Sequence, residues 1–369
     1  MKKLIICETP FQVIVALCIM KQFSSENDSV DIAIVNNFSG YDKIAENLKK
    51  EKVFDNVLTF DAKNIVLAKG IIGNIKKLFY VLFLSKLMKK IKISKFYDEI
   101  YSWNYDALTA SIRSYHALKK KPAKYYIYDE GYISYFPIDE VISKRGFMKI
   151  IEVRNKLLGL HDIVRKNIDG LLLFEPDLLI YKPNCEVYKI TRNDLNDKKF
   201  IKLISNIFNV GESYKKYDKK YIIFEEAMFS NDNKFDDEKI IENIVDKLGK
   251  DNVIIKLHPR TSSDRFSKKG IKVLGSDGVP WEALTIVGDF SDKVLISIGS
   301  GSIPNYKIFL GESANGILLF DIYKPVLKYM NMKYSAFWDK IRTKEKNKGI
   351  FIPRDNKELM KILNTIGSE

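Results

Sequence analysis

Long apolar runs are missing from this 369-residue chain. A membrane-spanning helix needs about 18 or more consecutive apolar residues, and no such stretch occurs, so no spanning helix is expected. Cysteine is scarce. Cys7, Cys18 and Cys185 form an odd, widely spaced set that builds no disulfide framework and suits a reducing, cytoplasmic compartment. There are three histidines, His116, His161 and His258. They form no cluster with the cysteines at metal-ligand spacing. No clear Asp-x-Asp motif stands in a loop after a strand, and Asp289 and Asp292 read as surface positions. No metal or other cofactor is therefore expected. Internal repeats and low-complexity tracts are absent as well.

The formal net charge is +14, which favours anionic partners such as nucleotide phosphates, nucleic acid, an acidic glycan or an anionic membrane. A solvated lysine-rich surface gives the same total. Against nucleic acid, the lysines are scattered, and no helix-turn-helix, zinc pattern or RNA-binding aromatic signature appears. Hydrophobic residues make up 46% and aromatics 12%, enough for a real core, and the length suits two domains.

Short apolar strands alternate with helical segments, the pattern of parallel βαβ units. Met1-Lys2-Lys3 before Leu4–Cys7 looks like the start of a secretory signal. Glu8 and Pro10 interrupt it too soon, so a first buried strand is expected instead. Thr9-Pro10-Phe11-Gln12 then opens a helix, with Thr9 as cap, Pro10 at the first helical position and Gln12 completing a capping box. Further strands are expected at 31–35, 56–60, 99–103 and 125–128. A second series follows at 221–224, 252–257, 293–298 and 316–320. The polar stretches Arg192–Lys199 and Glu212–Lys219 are the linker candidates, and the boundary is placed at about 215. Domains 1–215 and 216–369 are thus expected, both doubly wound α/β units. Facing each other across a cleft they would make the GT-B arrangement, with ligands at the carboxyl ends of the strands.

Between Ile65 and Lys95 apolar residues are interspersed with Lys69, Lys76, Lys77, Lys86, Lys89, Lys90, Lys92 and Lys95. A basic amphipathic helix can lie in a membrane interface. A helix packed on the sheet with a lysine-rich outer face reads the same way.

Three segments could carry chemistry. His258 follows the apolar strand Val253–Leu257 and precedes Pro259 and Arg260. A histidine just past a buried strand stands where ligands bind, and its imidazole can donate to a phosphate or supply a proton. Asp129-Glu130-Gly131 follows the strand Tyr125–Tyr128, and adjacent carboxyls at a strand end can divide acid and base roles. The loop Ser300-Gly301-Ser302 follows the strand ending at Ile298 and leads into a helix, so its hydroxyls and amides can cradle a phosphate. It has neither the Walker nor the Rossmann spacing. Each segment alone also fits an ordinary turn.

Their order is more specific. Asp129-Glu130-Gly131, His258-Pro259, Pro280-Trp281-Glu282 and Ser300-Gly301-Ser302 resemble, in that sequence, the motifs of the bacterial sialyltransferases of glycosyltransferase family 52. Related motifs occur in bacterial polysialyltransferases and in the marine-type sialyltransferases. Cys7–Gln12 resembles the opening strand and helix of family 52. The resemblance implies a GT-B fold with CMP held mainly by the second half. It makes Asp129 the base on the acceptor hydroxyl, with Glu226 or Asp236 as the second choice. His258 would protonate the departing phosphate. Ser300 and Ser302 would bind that phosphate and Glu282 the ribose, with Glu130, Gly131, Pro259, Arg260 and Gly301 completing the donor site. The implied reaction moves sialic acid from CMP-N-acetylneuraminic acid to a galactose-ended glycan of a capsule or lipooligosaccharide, inverting the anomeric centre without metal. The expected place is the cytoplasm or the inner face of the membrane, with a homodimer left open. Transfer of another nucleotide sugar on the same fold, or a basic nucleic-acid-binding protein, are the alternatives.

Overall fold

All paired strands in the computed structural model are parallel, and they form two separate sheets. The structure describes residues 1–61, 70–137, 147–226, 237–258, 261, 264–275, 278–311, 314–323, 332–343 and 349–367. The chain divides into two compact units, Met1–Phe208 and Asn209–Glu369.

The first unit holds seven strands: β1 (Lys2–Cys7), β2 (Ser29–Val35), β3 (Asn56–Phe60), β4 (Glu99–Ser102), β5 (Lys124–Tyr128), β6 (Gly170–Leu173) and β7 (Glu186–Lys189). Their spatial order is β3-β2-β1-β4-β5-β6-β7. The second holds β8 (Tyr221–Phe224), β9 (Val253–Lys256), β10 (Lys272–Leu274), β11 (Val294–Ser297), β12 (Asn315–Leu318) and β13 (Ile350–Phe351), in the order β10-β9-β8-β11-β12-β13. Both units are doubly wound. In each, the strand order reverses once, beside β1 and β4 in the first and beside β8 and β11 in the second. Chains leaving two such neighbours turn to opposite faces and open a crevice at the carboxyl ends, where ligands of this architecture bind.

Helices on both faces bury the central strands, which is why they read as largely apolar runs. All residues of β4, β8, β9 and β11 are buried. The helix after β1, α1 (Pro10–Phe23), is capped as its residues dictate. The Thr9 hydroxyl accepts from the Gln12 amide at 3.3 Å, and Pro10 sits at the first position. Gln12 reaches back one residue further than a capping box requires: its Oε1 accepts from the Glu8 amide at 2.6 Å.

Two linker candidates belong inside units. Arg192–Lys199 is tied to α1, because Gln22 donates to Thr191 O at 2.9 Å and Lys21 pairs with Asp194 at 2.8 Å. The helix after it, Lys198–Phe208, packs on the helix Tyr41–Glu51, with Asn47 Nδ2 donating to Ile207 O at 2.9 Å. The expected boundary at 215 lies within the second unit, where Tyr217 meets the rings of Trp281 and Phe290 edge-on.

The lysine-rich stretch is two helices, Gly70–Leu82 and Leu84–Lys90. Its start at 65–69 lies outside the described residues. No helix among the described residues is long and apolar enough to cross a membrane.

Candidate functional site

Residues just past β8 organise the second unit. Register places Phe224 level with Lys256 of β9 on one side and with Ser297 of β11 on the other. The two glutamates that follow, Glu225 and Glu226, are divided between the neighbours of β8. Glu225 serves the β9 side. Its Oε2 accepts from the His258 amide at 3.1 Å and from the Thr261 hydroxyl at 2.5 Å, and its Oε1 pairs with Arg265. Glu226 serves the β11 side. Its Oε1 accepts from the Ser297 hydroxyl at 2.6 Å and from the Gly299 amide at 2.9 Å. Both are buried, at 2% and 7% exposure. A buried carboxylate accepting several donors trades desolvation for charge-assisted hydrogen bonds and holds those donors rigidly. One dipeptide therefore sets the shape of two loops, the His258 turn and the serine loop.

The serine loop continues the chain of bonds. Ser300 N donates to the Ser297 hydroxyl at 2.7 Å, and Ser302 N donates to the Ser300 hydroxyl at 3.3 Å. Asn305, one turn on, donates to Glu282 Oε1 at 3.2 Å, which joins the loop to the first turn of the helix Trp281–Val287. That helix is anchored by Trp281, packed edge-on against Tyr217, Phe224, Phe290 and Tyr306. The structure thus brings Glu226, Glu282, Ser300, Gly301 and Ser302 together at the end of β11, and hangs His258 from the same β8 terminus through Glu225. His258, Ser300 and Ser302 are half-buried, so they remain reachable by a ligand. Pro259, Arg260 and Asp236 lie outside the described residues.

In the first unit the Asp129-Glu130-Gly131 turn is built as tightly. Asp129 is 0% exposed. Its Oδ1 accepts from the Gly131 amide at 2.8 Å, and its Oδ2 accepts from the Phe174 amide at 3.0 Å and from the Tyr135 hydroxyl. Burial pushes its carboxyl up to about 6, although these three donors pull it down. Gly131 adopts φ +98°, a conformation that side chains with a Cβ resist. Asp129, the expected base, therefore faces the interior and fixes the turn. Glu130 faces the other way: its carboxylate accepts from the Thr9 hydroxyl at 3.3 and 3.4 Å.

That contact joins the turn to the crevice between β1 and β4, where sequence reading placed no site. Glu8, after β1, faces the carboxyl of Asp106 after β4 and takes a hydrogen bond from Asn37 Nδ2 at 3.3 Å. Burial, then the charge of Asp106, push the Glu8 carboxyl well up. Asp106 also caps the helix Ala107–Leu118 by accepting from the Thr109 amide at 2.7 Å. Glu8, Asp106 and Glu130 thus line a half-buried polar rim with Thr9 and Trp103. The signal in the sequence was a strand followed by an N-cap aspartate. Its partnership with Glu8 depends on β1 and β4 being neighbours.

The other two histidines take no part. His116 is fully buried among Phe96, Tyr97 and Tyr115, and burial pushes its imidazole down to about 4, so it stays neutral. His161 sits at the start of a short turn beside Asp162. Asp289 and Asp292 are surface residues, as expected. Among the described residues no group of three or more His, Cys, Asp or Glu side chains is placed to hold a metal ion.

Two doubly wound parallel units, each with polar loops at its switch point, are the components of the GT-B fold. Solved structures of that fold match along nearly the whole chain. An α/β-galactoside α-2,3-sialyltransferase from Photobacterium phosphoreum matches with TM-score 0.53 and 12% identity, covering 95% of this chain and 98% of its own. A sialyltransferase from Photobacterium damsela matches with TM-score 0.53 and 12% identity, over 95% and 81%. A UDP-GlcNAc 2-epimerase from Methanocaldococcus jannaschii matches with TM-score 0.51 and 17% identity, over 99% of both. At these identities the likeness concerns the fold alone. No curated protein matches the sequence significantly. The family model of the alpha-2,8-polysialyltransferases (POLYST) matches residues 3–313, and the chain belongs to that family.

Proposed function

We propose that this protein is an inverting sialyltransferase that moves sialic acid from CMP-N-acetylneuraminic acid to a glycan of a capsule or lipooligosaccharide, without a metal. The observation that carries this reading is the paired hold of Glu225 and Glu226 on the His258 turn and the serine loop. It supports the reading because His258, whose imidazole can give a proton, and a set of hydroxyls and amides stand on loops shaped by one strand end. A CMP-sugar has a single phosphate between nucleoside and sugar. Hydroxyls, amides and one imidazole suit that charge, and after Ser302 no lysine or arginine comes before Lys307.

In this reading the second unit binds the donor. Ser300 and Ser302 hold the phosphate, Glu282 and Asn305 take the ribose side, and His258 gives its proton to the departing phosphate, with Pro259 and Arg260 flanking it. The first unit binds the acceptor. The base there is Glu130, and Asp129 is its positioning residue, because Asp129 spends both carboxylate oxygens on Gly131, Phe174 and Tyr135. The base takes the hydroxyl proton as the acceptor oxygen attacks the anomeric carbon, and the CMP phosphate leaves with the bonding pair. The Cys7–Gln12 segment supports kinship with family 52 as part of the same proposal.

The acceptor is a galactose-ended glycan. Asp106 and Glu130 can accept hydrogen bonds from neutral sugar hydroxyls, whereas an anionic sugar would meet like charge there. The family match favours a second reading, α-2,8 transfer to a sialic-acid-ended chain. One assay separates these. Purified protein is offered CMP-sialic acid, UDP-glucose or UDP-galactose, each with a lactose-type and a sialylated acceptor. Transfer from CMP-sialic acid to the lactose-type acceptor is expected. Turnover with a UDP-sugar only would overturn the donor assignment, and transfer only to the sialylated acceptor would establish the second reading.

A further inference from the structure

The large apolar side chains that the described residues leave exposed are concentrated in one place. The helix Gly70–Leu82 buries Gly73 and Val81 and exposes Ile71, Ile72, Ile75, Leu78, Phe79 and Leu82. At about 100° per residue these six fall within an arc of about 120°, on the side opposite Gly73 and Val81. This is an amphipathic helix turned outward. Ile71 is 81% exposed and Ile72 74%. The neighbouring helix Phe147–Leu157 extends the surface. Arg154 donates from Nη1 to Val81 O at 2.7 Å, which pins the two helices together, and Val153, Leu157 and Leu158 are exposed beside them, Leu157 at 82%. Isolated exposed leucines are ordinary, but a contiguous apolar surface spread over two packed helices marks an interaction site.

The charge around that surface identifies the partner. From Gly70 to Tyr97 the sequence contains no aspartate or glutamate. Lys76, Lys86, Lys89, Lys90 and Lys92 are exposed along it, and Lys149 and Lys156 flank the apolar residues of the second helix. The one acid on that second helix, Glu152, is paired with Arg165. A protein partner with an apolar face would not require a rim of one sign. An anionic bilayer does: apolar side chains enter the headgroup boundary while lysines stay at the phosphate level. We infer that the paired helices Gly70–Leu82 and Phe147–Leu157 form a docking surface for an anionic lipid bilayer, entered by Ile72, Phe79 and Leu157.

The test uses the full chain and vesicles of phosphatidylcholine, with and without phosphatidylglycerol, in co-sedimentation at low and high salt. Each lysine at an anionic surface contributes on the order of fivefold in affinity, and salt screens that part. Binding to the phosphatidylglycerol vesicles is expected. A Lys76→Glu/Lys86→Glu variant should weaken it at least tenfold at low salt. Ile72→Ser/Phe79→Ser, and separately Leu157→Ser, should lower the binding that persists at high salt. All these positions are half-buried or exposed, and unchanged thermal unfolding confirms that each variant is folded. Failure of the wild-type chain to bind the phosphatidylglycerol vesicles would overturn the inference, as would equal binding by all variants. So would a wild-type dimer that Ile72→Ser/Phe79→Ser dissolves without change in vesicle binding, which would make the face a contact between two copies of this chain.

Discussion

Glu226 can be a base or a frame, and two substitutions tell these apart. Its Oε1 alone receives both the Ser297 hydroxyl and the Gly299 amide. A glutamine at this position keeps a carbonyl oxygen that can accept both bonds, but it cannot take a proton. Alanine removes the acceptor altogether and leaves two donors unsatisfied, one of them on Ser297, which is 1% exposed. Hydrogen bonds to a charged group contribute about 1.5–3 kcal/mol and neutral ones about 0.5–1.5, so Glu226→Gln should cost about 1 kcal/mol per bond, or about 2 in all. Orphaning the two donors costs about 1–3 kcal/mol each. Glu226→Ala should therefore lose about 2–6 kcal/mol, a large share of a typical domain's 5–15. The serine loop is the part that can relax, so the loss should surface as weaker nucleotide binding. At 1.4 kcal/mol per tenfold, Glu226→Ala should weaken CMP by at least tenfold and Glu226→Gln by distinctly less. Isothermal titration with CMP gives the affinities and initial rates give kcat. If both variants lose turnover by a hundredfold or more while binding CMP normally, Glu226 transfers a proton and the framing role is wrong.

Replacing His258 with alanine leaves its backbone amide on Glu225, so the turn should survive while kcat falls on the order of a hundredfold or more; near-normal turnover in the folded variant would remove His258 from the mechanism. Asp129 gives a pH signature. Its folded value, about 6, lies above that of an exposed aspartate, so folding holds the proton more tightly. The resulting stabilisation is present below about pH 4 and is lost as pH rises through 6, up to about 3 kcal/mol. Chemical denaturation from pH 4 to 7 should show the advantage of the wild type over Asp129→Asn shrinking by that order; a constant difference would contradict the assignment. Glu130→Gln should lower kcat with little change in thermal unfolding, the reverse emphasis from Asp129→Asn, and equal effects of both on the two measurements would refute the division of roles. Turnover should persist in EDTA, and full loss restored by magnesium or manganese would show a metal requirement.

Much of the chain's architecture follows from local pattern. The central strands bury both faces, so Leu4–Cys7, Tyr221–Phe224 and Val253–Ile255 appear as apolar runs that no amphipathic helix would produce. Thr9, Pro10 and Gln12 mark a helix start because capping is local chemistry. The strand-end positions of Asp129, His258 and Ser300 were legible for the same reason. Of the four edge strands, Asn56–Phe60 was legible and the other three were not. Glu186–Lys189 and Lys272–Leu274 are short and partly exposed, and Ile350–Phe351 has two residues, so none carries an apolar run of its own. What tertiary structure alone decided is which strand ends are neighbours and which way each side chain turns. Glu225 and Glu226 are adjacent acids in sequence, and only the position of β8 between β9 and β11 sends one to the histidine turn and the other to the serine loop. Asp129 and Glu130 look equivalent on paper, yet one is enclosed by Tyr135, Phe174 and Gly131 and the other meets Thr9. Glu8 and Asp106, 98 positions apart, become partners because β1 lies beside β4. A sequence specifies what each strand end carries. Pairing across the sheet is a long-range outcome of burying the whole core, and it determines which of those groups meet.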